Sequence, residues 1–561
     1  MFDLDELLKV AGPNPGDNHW LRDAKSGAQY LKRNSASDEV ILFANPGQMI
    51  AFTVLAPQSR LTPPDGDALQ NARFDPTGHW ALEHVSGGGE PDRMYLSSPV
   101  DSYGCSALDG AEQLVFRRDF TGVDKGAMRT ELSQQLVQAL DLYWLDEEAA
   151  YCKLDEHGDI QPIIRLRDLS EALGQNSATL VTIDAEQLHR YMAVTDTALV
   201  TKFDFTRYPS GSFFGWHDPE RSETNDNDLF YHAGVQNNAS FANGAMILRP
   251  VLTKEMLIAQ ANRQWNDEGK EYATFKAQDW KNNQLAEISC APWALASYFD
   301  KDSDLPFQVT PAFFRPEVLQ KYKADPEKYR LEHRSISARG GWYLKSYDVN
   351  EAGQVHAYLY DLAKLPYSEQ LYWQSFNEWP KAPISERAYQ TDFEGSFSSI
   401  PDPLVDLKHE VAKLDEIKPD YWDARGRDLA DTVHYPISAS TEEWANSLLA
   451  LDQLVVEGFV VKALRQRLKS AGREFEKAWQ SLKLLQEVLL AGGLDEDEAK
   501  EILEPLRLLH HLRSKTKGHA ANTEKQALIK QAKKDHGSLP AHFRWLASSV
   551  QVSFDRIIEL L

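Results

Sequence analysis

Ser398-Ser399-Ile400-Pro401-Asp402-Pro403 divides the chain into two kinds of sequence. Two serines and two prolines in so short a stretch oppose continued helix or strand. Beyond it, apolar residues recur at helical spacing. Before it, short apolar runs alternate with Gly, Pro and Asn, which is a strand pattern. The fold class predicted is multidomain α+β. A mixed α/β region spans residues 1–200 and an aromatic-rich α+β region spans 201–400. A linker with a helix covers 401–436, and an all-α helical bundle covers 437–561.

The C-terminal pattern is the most regular. Val405 to Ile417 reads as one helix. Ser440 is an N-cap for Thr441-Glu442-Glu443, whose acidic side chains suit a first turn. The helix they open is predicted to run to Lys469, with Trp444, Leu448, Leu451, Val455, Phe459 and Leu464 on its apolar side. Arg473 to Leu490 reads as the next, stopped by Gly492-Gly493. Asp495 to Leu503 follows, and Pro505 is placed at the opening of a further helix. Phe543 to Leu561 is the last, with Leu546, Val550, Phe554, Ile557 and Leu561 periodic.

In the first region, Val40–Phe43, Ile50–Leu55, Ile160–Leu166 and Ala178–Ile183 read as strands, and Gly87-Gly88-Gly89 as a flexible turn. Leu132, Leu136, Leu140 and Leu142 predict a helix over Lys125–Ala150. Residues 201–400 hold 34 of the 59 aromatic residues, a density that suits strands and a large packed core. Arg339–Leu344 and His356–Tyr360 are predicted to form a meander around Glu351-Ala352-Gly353. Leu365 to Pro380 reads as an ordered irregular segment. The stretch from Leu365 to Phe393 is similar to a segment of uncharacterised bacterial proteins, a similarity that implies no chemistry; it reads either as core-to-linker packing or as a recognition surface.

Composition excludes several classes. The 561 residues carry 60 Lys and Arg against 84 Asp and Glu, a net charge of −24, which rules out a uniformly basic nucleic-acid coat. No run approaches the ~18–20 apolar residues of a membrane span, and the start, Met1-Phe2-Asp3-Leu4-Asp5-Glu6, is acidic; no membrane partner is expected. Cys105, Cys152 and Cys290 are too few and too scattered for a disulfide framework or a four-cysteine zinc site, so the expectation is a cytoplasmic protein with reduced, buried thiols. Neither a phosphate loop, a dinucleotide fingerprint nor a Gly-x-Ser-x-Gly elbow occurs. Trp216-His217-Asp218-Pro219-Glu220 with Asp226, Asp228 and His232 collects metal-capable side chains, but Asn225, Asn227, Pro219 and Ser222 make it a polar surface loop. Asp23-Ala24-Lys25 and Glu268-Gly269-Lys270 fall on no convincing strand, and no metal or other cofactor is expected.

One segment reverses the chain's charge. Residues 505–544 contain Arg507, Arg513, Lys515, Lys517, Lys525, Lys530, Lys533, Lys534 and Arg544 against only Glu524 and Asp535. Such an inversion is the electrostatic footprint of a phosphate-binding surface. Within it, Arg513 and His519 are separated by five residues, late in a helical bundle and on a helix packed through Leu508, Leu509 and Leu512. This resembles the Arg-x(4–6)-His motif of the HEPN superfamily, a helical fold found in many prokaryotic toxin and phage-defence ribonucleases. The resemblance covers the last ~125 residues. It departs from the family in Ser514, where many members carry Asn, His or Asp, and in a spacing that is not the commonest; both leave open a relative that binds without cleaving.

The resemblance implies a metal-independent endoribonuclease, a hydrolase of antiviral defence or toxin systems, acting on RNA (tRNA or mRNA). RNA supplies its own 2′-hydroxyl nucleophile, so cleavage needs a proton acceptor, a proton donor and a fixed positive charge. Arg513 would grip the scissile phosphate and His519 would transfer the proton. Ser514 and Lys517 are possible helpers, and Glu457, a charge in an apolar run, would orient Arg513. Arg507, Lys515, Lys525, Lys530, Lys533 and Lys534 would form the phosphate-binding patch. In the family two protomers commonly share one cleft, so a homodimer or higher oligomer is implied. The N-terminal regions would then sense a trigger such as a phage protein, or restrain the nuclease. The alternative reading takes Arg513 and His519 as solvated groups near a helix C-terminus capped by Gly518, in a non-catalytic sensor or assembly protein whose bundle mediates oligomerisation or nucleic-acid binding.

Overall fold

The computed structural model describes the chain apart from residue 1 and residues 12–29, 31, 63, 73, 88, 90, 101–103, 121–127, 208–221, 237–238, 267–268, 301, 333, 397–401 and 518–521. The protein is mixed α+β, with sheets in its N-terminal part and a run of helices at its C-terminal end. It forms two compact units. One comprises residues 1–155 with 160–269, and the other 156–159 with 270–561.

The first unit is built on an eleven-stranded antiparallel sheet. Its spatial order is Ser222–Asn225, Leu229–Gln236, Ala239–Leu248, Thr197–Arg207, Met49–Pro57, Glu39–Ala44, Thr179–Asp184, Ile160–Asp168, Ala150–Leu154 and Tyr143–Leu145, with Glu112–Gln113 on the far end of Met49–Pro57. Residue 200, the expected edge of the first region, lies inside its strand Thr197–Arg207. The expected Lys125–Ala150 helix is instead a strand (Arg129–Leu132), a single turn and a half of helix (Gln134–Ala139) capped by Ser133, and two further strands. Leu132, Leu136 and Leu142 are nonetheless buried in one cluster. Asp141, with φ at +55°, turns the chain between them, so helical spacing here reflects burial rather than one continuous helix.

In the second unit, Gln284–Ser289, Thr274–Asp279, Pro311–Phe314, Val355–Tyr358 and Asp348–Val349 form a sheet in that order, with Asn377–Glu378 also on Pro311–Phe314. Glu351-Ala352-Gly353 does turn a hairpin, but between Asp348–Val349 and Val355–Tyr358. The expected partner segment, Tyr343–Lys345, belongs to a separate three-stranded sheet. Leu365–Pro380 is not irregular, since Tyr367–Ser375 is a helix. Its aromatics are weak helix formers, but burying Trp373 against Phe314 and donating its indole N–H to Tyr322 OH at 2.8 Å overrides that preference.

The bundle's helices are α1 (Pro403–Ile417), α2 (Gly426–Thr432), α3 (Thr441–Val455), α4 (Val461–Ser470), α5 (Ser481–Ala491), α6 (Glu496–Lys517), α7 (Asn522–His536) and α8 (Leu539–Leu560). Leu404, Leu407, Val411 and Leu414 of α1 lie in the same core as Trp444, Leu448, Leu509 and Phe554, so the helix of the 401–436 segment belongs to the bundle. The sheet and the bundle meet at Arg387. It donates through Nε to Asp348 at 2.9 Å and through Nη1 to Asp402 at 3.2 Å. Asp402 also caps α1 at Leu404 N and Val405 N and accepts from Tyr435 OH at 2.9 Å.

Three sequence expectations for the helices change. Pro505 does not open a helix but sits within α6. An interior proline costs ~3 kcal/mol, and the unbroken stripe Ala499, Leu503, Leu506, Leu509 and Leu512 holds the helix together across it. The segment before α5 is not helical, because Arg465 Nη2 draws out the carbonyls of Lys477 (2.8 Å) and Trp479 (3.2 Å). The expected single helix Thr441–Lys469 is α3 and α4, broken at Val456–Val460. There the Trp422 indole occupies the space a side chain on Gly458 would need, and Phe459 packs edge-on against the same ring with centroids 5.4 Å apart. Trp422 is fixed from behind by Nε1–H donating to Asp415 at 2.9 Å. A Gly458→Ala variant is therefore expected to lose about 1–3 kcal/mol through overpacking, read as a lower melting temperature; an unchanged melting temperature would mean that Trp422 is not the wedge.

Candidate functional site

The break between α3 and α4 places a charge. Glu457 follows Val456, the C-cap of α3, and precedes the glycine that Trp422 demands, so it leaves the helix axis on an exposed corner. One turn earlier, Asp452 lies on the buried side of α3 beside Leu451 and Val455, with 0% of its surface exposed.

Both carboxylates meet α6. Its apolar stripe faces the core, which brings the next residues round, His510 and Arg513, to the rim of the helix contact. His510 Nδ1 lies 3.1 Å from Asp452 Oδ1 and 3.3 Å from Oδ2. Arg513 Nε lies 3.7 Å from Asp452 Oδ2, and Nη2 donates to Glu457 Oε1 at 3.0 Å. The His510 side chain is 46% exposed and that of Arg513 30%, so the cluster runs from a closed carboxylate out to solvent. Burial pushes the Asp452 carboxyl above the usual carboxylate range, and the His510 and Arg513 charges pull against that rise. Among the described residues no hydrogen bond is made by Arg513 Nη1.

The other sequence candidates sit around this corner. His519 and Gly518 lie outside the described residues. Ser514 and Lys517 are exposed on α6. Arg507 is half-buried and donates to Gln486 Oε1 at 2.8 Å. Lys515 pairs with Glu524 at 2.8 Å. Lys525 is half-buried, while Lys530, Lys533 and Lys534 are exposed on α7; none of these four lysines forms an ion pair among the described residues.

The sequence pattern singled out neither Asp452 nor His510. The available signal was a carboxylate at a core-facing position, four residues after Leu448, opposite two histidines in the basic segment. A further histidine is structural. His542, on α8, is buried and accepts from Trp444 Nε1 at Nδ1, 3.3 Å away.

The remaining candidates offer less. Residues 216–221 of the Trp216–His232 stretch lie outside the described residues, as do the tripeptide Asp23–Lys25 and Glu268. Asp226 pairs with Lys32 at 2.6 Å and Asp228 with Arg249 at 2.9 Å, while His232 meets Gln70. Among the described residues no group of three or more His, Cys, Asp and Glu side chains could hold a metal ion. The three cysteines are buried and unbridged, and burial raises each thiol, Cys290 to about 12. No helix among the described residues is long and apolar enough to cross a membrane. The chain matches no family model, no curated protein and no solved structure.

His542 is one of several histidines lowered by burial that contribute a pH dependence. Burial lowers His542 to about 4, against ~6.5 in an unfolded chain. Between those values the unfolded chain takes up a proton that the native bundle refuses, so stability present above pH ~6.5 declines as pH falls toward 4. His542→Asn is expected to show a shallower decline of melting temperature over that window; parallel curves for variant and wild type would remove His542 as a cause.

Proposed function

We propose that the protein is a metal-independent endoribonuclease of a bacterial phage-defence or toxin system, acting through the end of α6 in the HEPN manner, with its N-terminal regions as sensor or regulator. The observation that carries this reading is Arg513. It is held by Asp452 and Glu457 at a half-exposed corner, with no hydrogen bond to Nη1 among the described residues, inside a strongly basic segment of an acidic chain.

The chemistry needs no additional nucleophile. The RNA 2′-oxygen forms a bond to the adjacent phosphorus while the bond from phosphorus to the 5′-oxygen breaks. The 2′-proton passes to a base and the departing 5′-oxygen takes up a proton, giving a 2′,3′-cyclic phosphate and a 5′-hydroxyl. Arg513 stabilises the charge on the phosphate oxygens in the transition state. Its two carboxylate partners fix the fork in one orientation, so little rotamer entropy is lost when the phosphate arrives. His519 carries one of the two proton transfers. A dimer that paired two copies of the motif would supply the second.

The same ion pairs favour a second reading, in which Arg513 is a structural cation neutralising Asp452 in a non-catalytic sensor or assembly protein. Cleavage of a mixed RNA in EDTA separates the two. Wild type is expected to cut, and His519→Ala to lose about 10²–10⁴ in rate, the usual range for a general acid or base. Arg513→Lys, which keeps a cation beside Asp452, is expected to fold and to lose most activity with the bidentate fork. Full activity in both variants would overturn the nuclease assignment, and a wild type that never cuts would favour the assembly role.

A further inference from the structure

A second arrangement on the bundle is not used by this phosphate chemistry. His536 ends α7, and Ser538 caps α8 two residues later through Ala541 N, so the turn between the helices is tight. It lays the His536 ring against Trp545, with centroids 4.6 Å apart and planes inclined by 33°. His536 also meets His542 edge-on at 5.1 Å, and His542 meets Trp444 edge-on at 5.5 Å. Trp444 has no exposed surface, whereas Trp545 is 44% exposed. The His542 ring also lies 5.9 Å from that of Trp545, so four rings form one cluster that is buried at Trp444 and open at Trp545.

The surroundings of the open end are cationic. Lys530, Lys533 and Lys534 are exposed on the same helix as His536. Arg544 precedes Trp545 and lies with its guanidinium 5.1 Å from the centre of the Tyr435 ring. The nearest acid in sequence, Asp535, accepts from the neutral Gln531 Nε2 at both oxygens, at 2.9 and 2.7 Å, and keeps its charge against four cations nearby in sequence. An exposed aromatic face on helices that also carry the exposed Lys530, Lys533, Lys534 and Arg544 suits a ligand that combines flat rings with regularly spaced anions. A single-stranded nucleic acid has that composition, and every base offers a face to stack on. A duplex hides those faces inside its own stack.

We propose that Trp545, backed by His536, is a base-stacking platform for single-stranded RNA, with Lys530, Lys533, Lys534 and Arg544 taking the flanking phosphates. The choice of RNA as the ligand rests on the ribonuclease reading above. The buried end of the ring cluster and the Asp452 cluster share helix α3, since Trp444 and Asp452 are eight residues apart on it, about 12 Å along the axis.

The test is fluorescence anisotropy in EDTA with a 5′-labelled oligouridine of twelve nucleotides, free or annealed to its complement, run on wild type and on the His519→Ala background. Trp545→Ala is expected to weaken single-strand binding by about 5- to 100-fold, the range of a lost base stack, with Trp545→Phe within a few-fold of wild type. Lys533→Ala and Lys534→Ala are each expected to lower the salt dependence of binding by about one ion. Trp545 is half-exposed, and equal melting temperatures would establish that the variants fold. Unchanged affinity in Trp545→Ala, or a duplex bound as tightly as the single strand, would overturn the platform and leave an exposed tryptophan for a protein partner. Trp545-dependent binding without cleavage by wild type would keep the platform and remove the nuclease; cleavage indifferent to Trp545 would do the reverse.

Discussion

A carboxylate sealed from solvent must find positive charge or stay protonated, and Asp452 is that carboxylate. Its demand registers α3 against α6, because only one setting of the two helices brings both His510 and Arg513 to it. The rest of the corner follows by packing. Trp422 needs a residue without a side chain, the chain supplies Gly458, α3 ends, and Glu457 is left pointing at the same guanidinium. An indole in the core thus fixes the second ligand of an arginine at the surface.

The distribution of charge gives that corner its selectivity. A polyanion approaching a chain of net charge −24 is repelled on average and attracted only where the sign reverses. One such reversal lies at the C-terminal end of α6, on α7 and at the start of α8, the elements that also carry Arg513 and the exposed Trp545, and α4 is another. In the proposed reading, steering and recognition would share one surface, and increasing salt would weaken the first without removing the aromatic contact.

The change of character at residue 398 and most of the helices were legible in periodicity, because long amphipathic segments announce themselves. What stayed hidden depended on contacts between distant residues. No local pattern tells that Arg465 will pull the carbonyls of 477–479 out of a helix, or that Trp422 will stop α3. The leucines of 132–142 show the converse, since spacing correctly marked burial while the backbone met that need with a strand and a short helix. At the site, Arg513, His519 and Glu457 could be singled out as residue types with a chemistry. Asp452 could not, because a single acid in a leucine-rich helix gains its meaning only when the facing helix is known.

Arg387 bears on how this chain could be built from parts. Its guanidinium joins a carboxylate of the sheet, Asp348, to the residue that caps the first helix of the bundle, Asp402. A gene fusion or truncation that separated the two at residue 400 would strip a counter-ion from each side at once. The bundle is for that reason a poor cassette: an evolutionary exchange that kept its sequence intact but changed what precedes it would have to carry Arg387 along or replace the cap. Recombination breakpoints that preserve folding would then fall before the sheet of the second unit rather than at the sequence's most conspicuous seam.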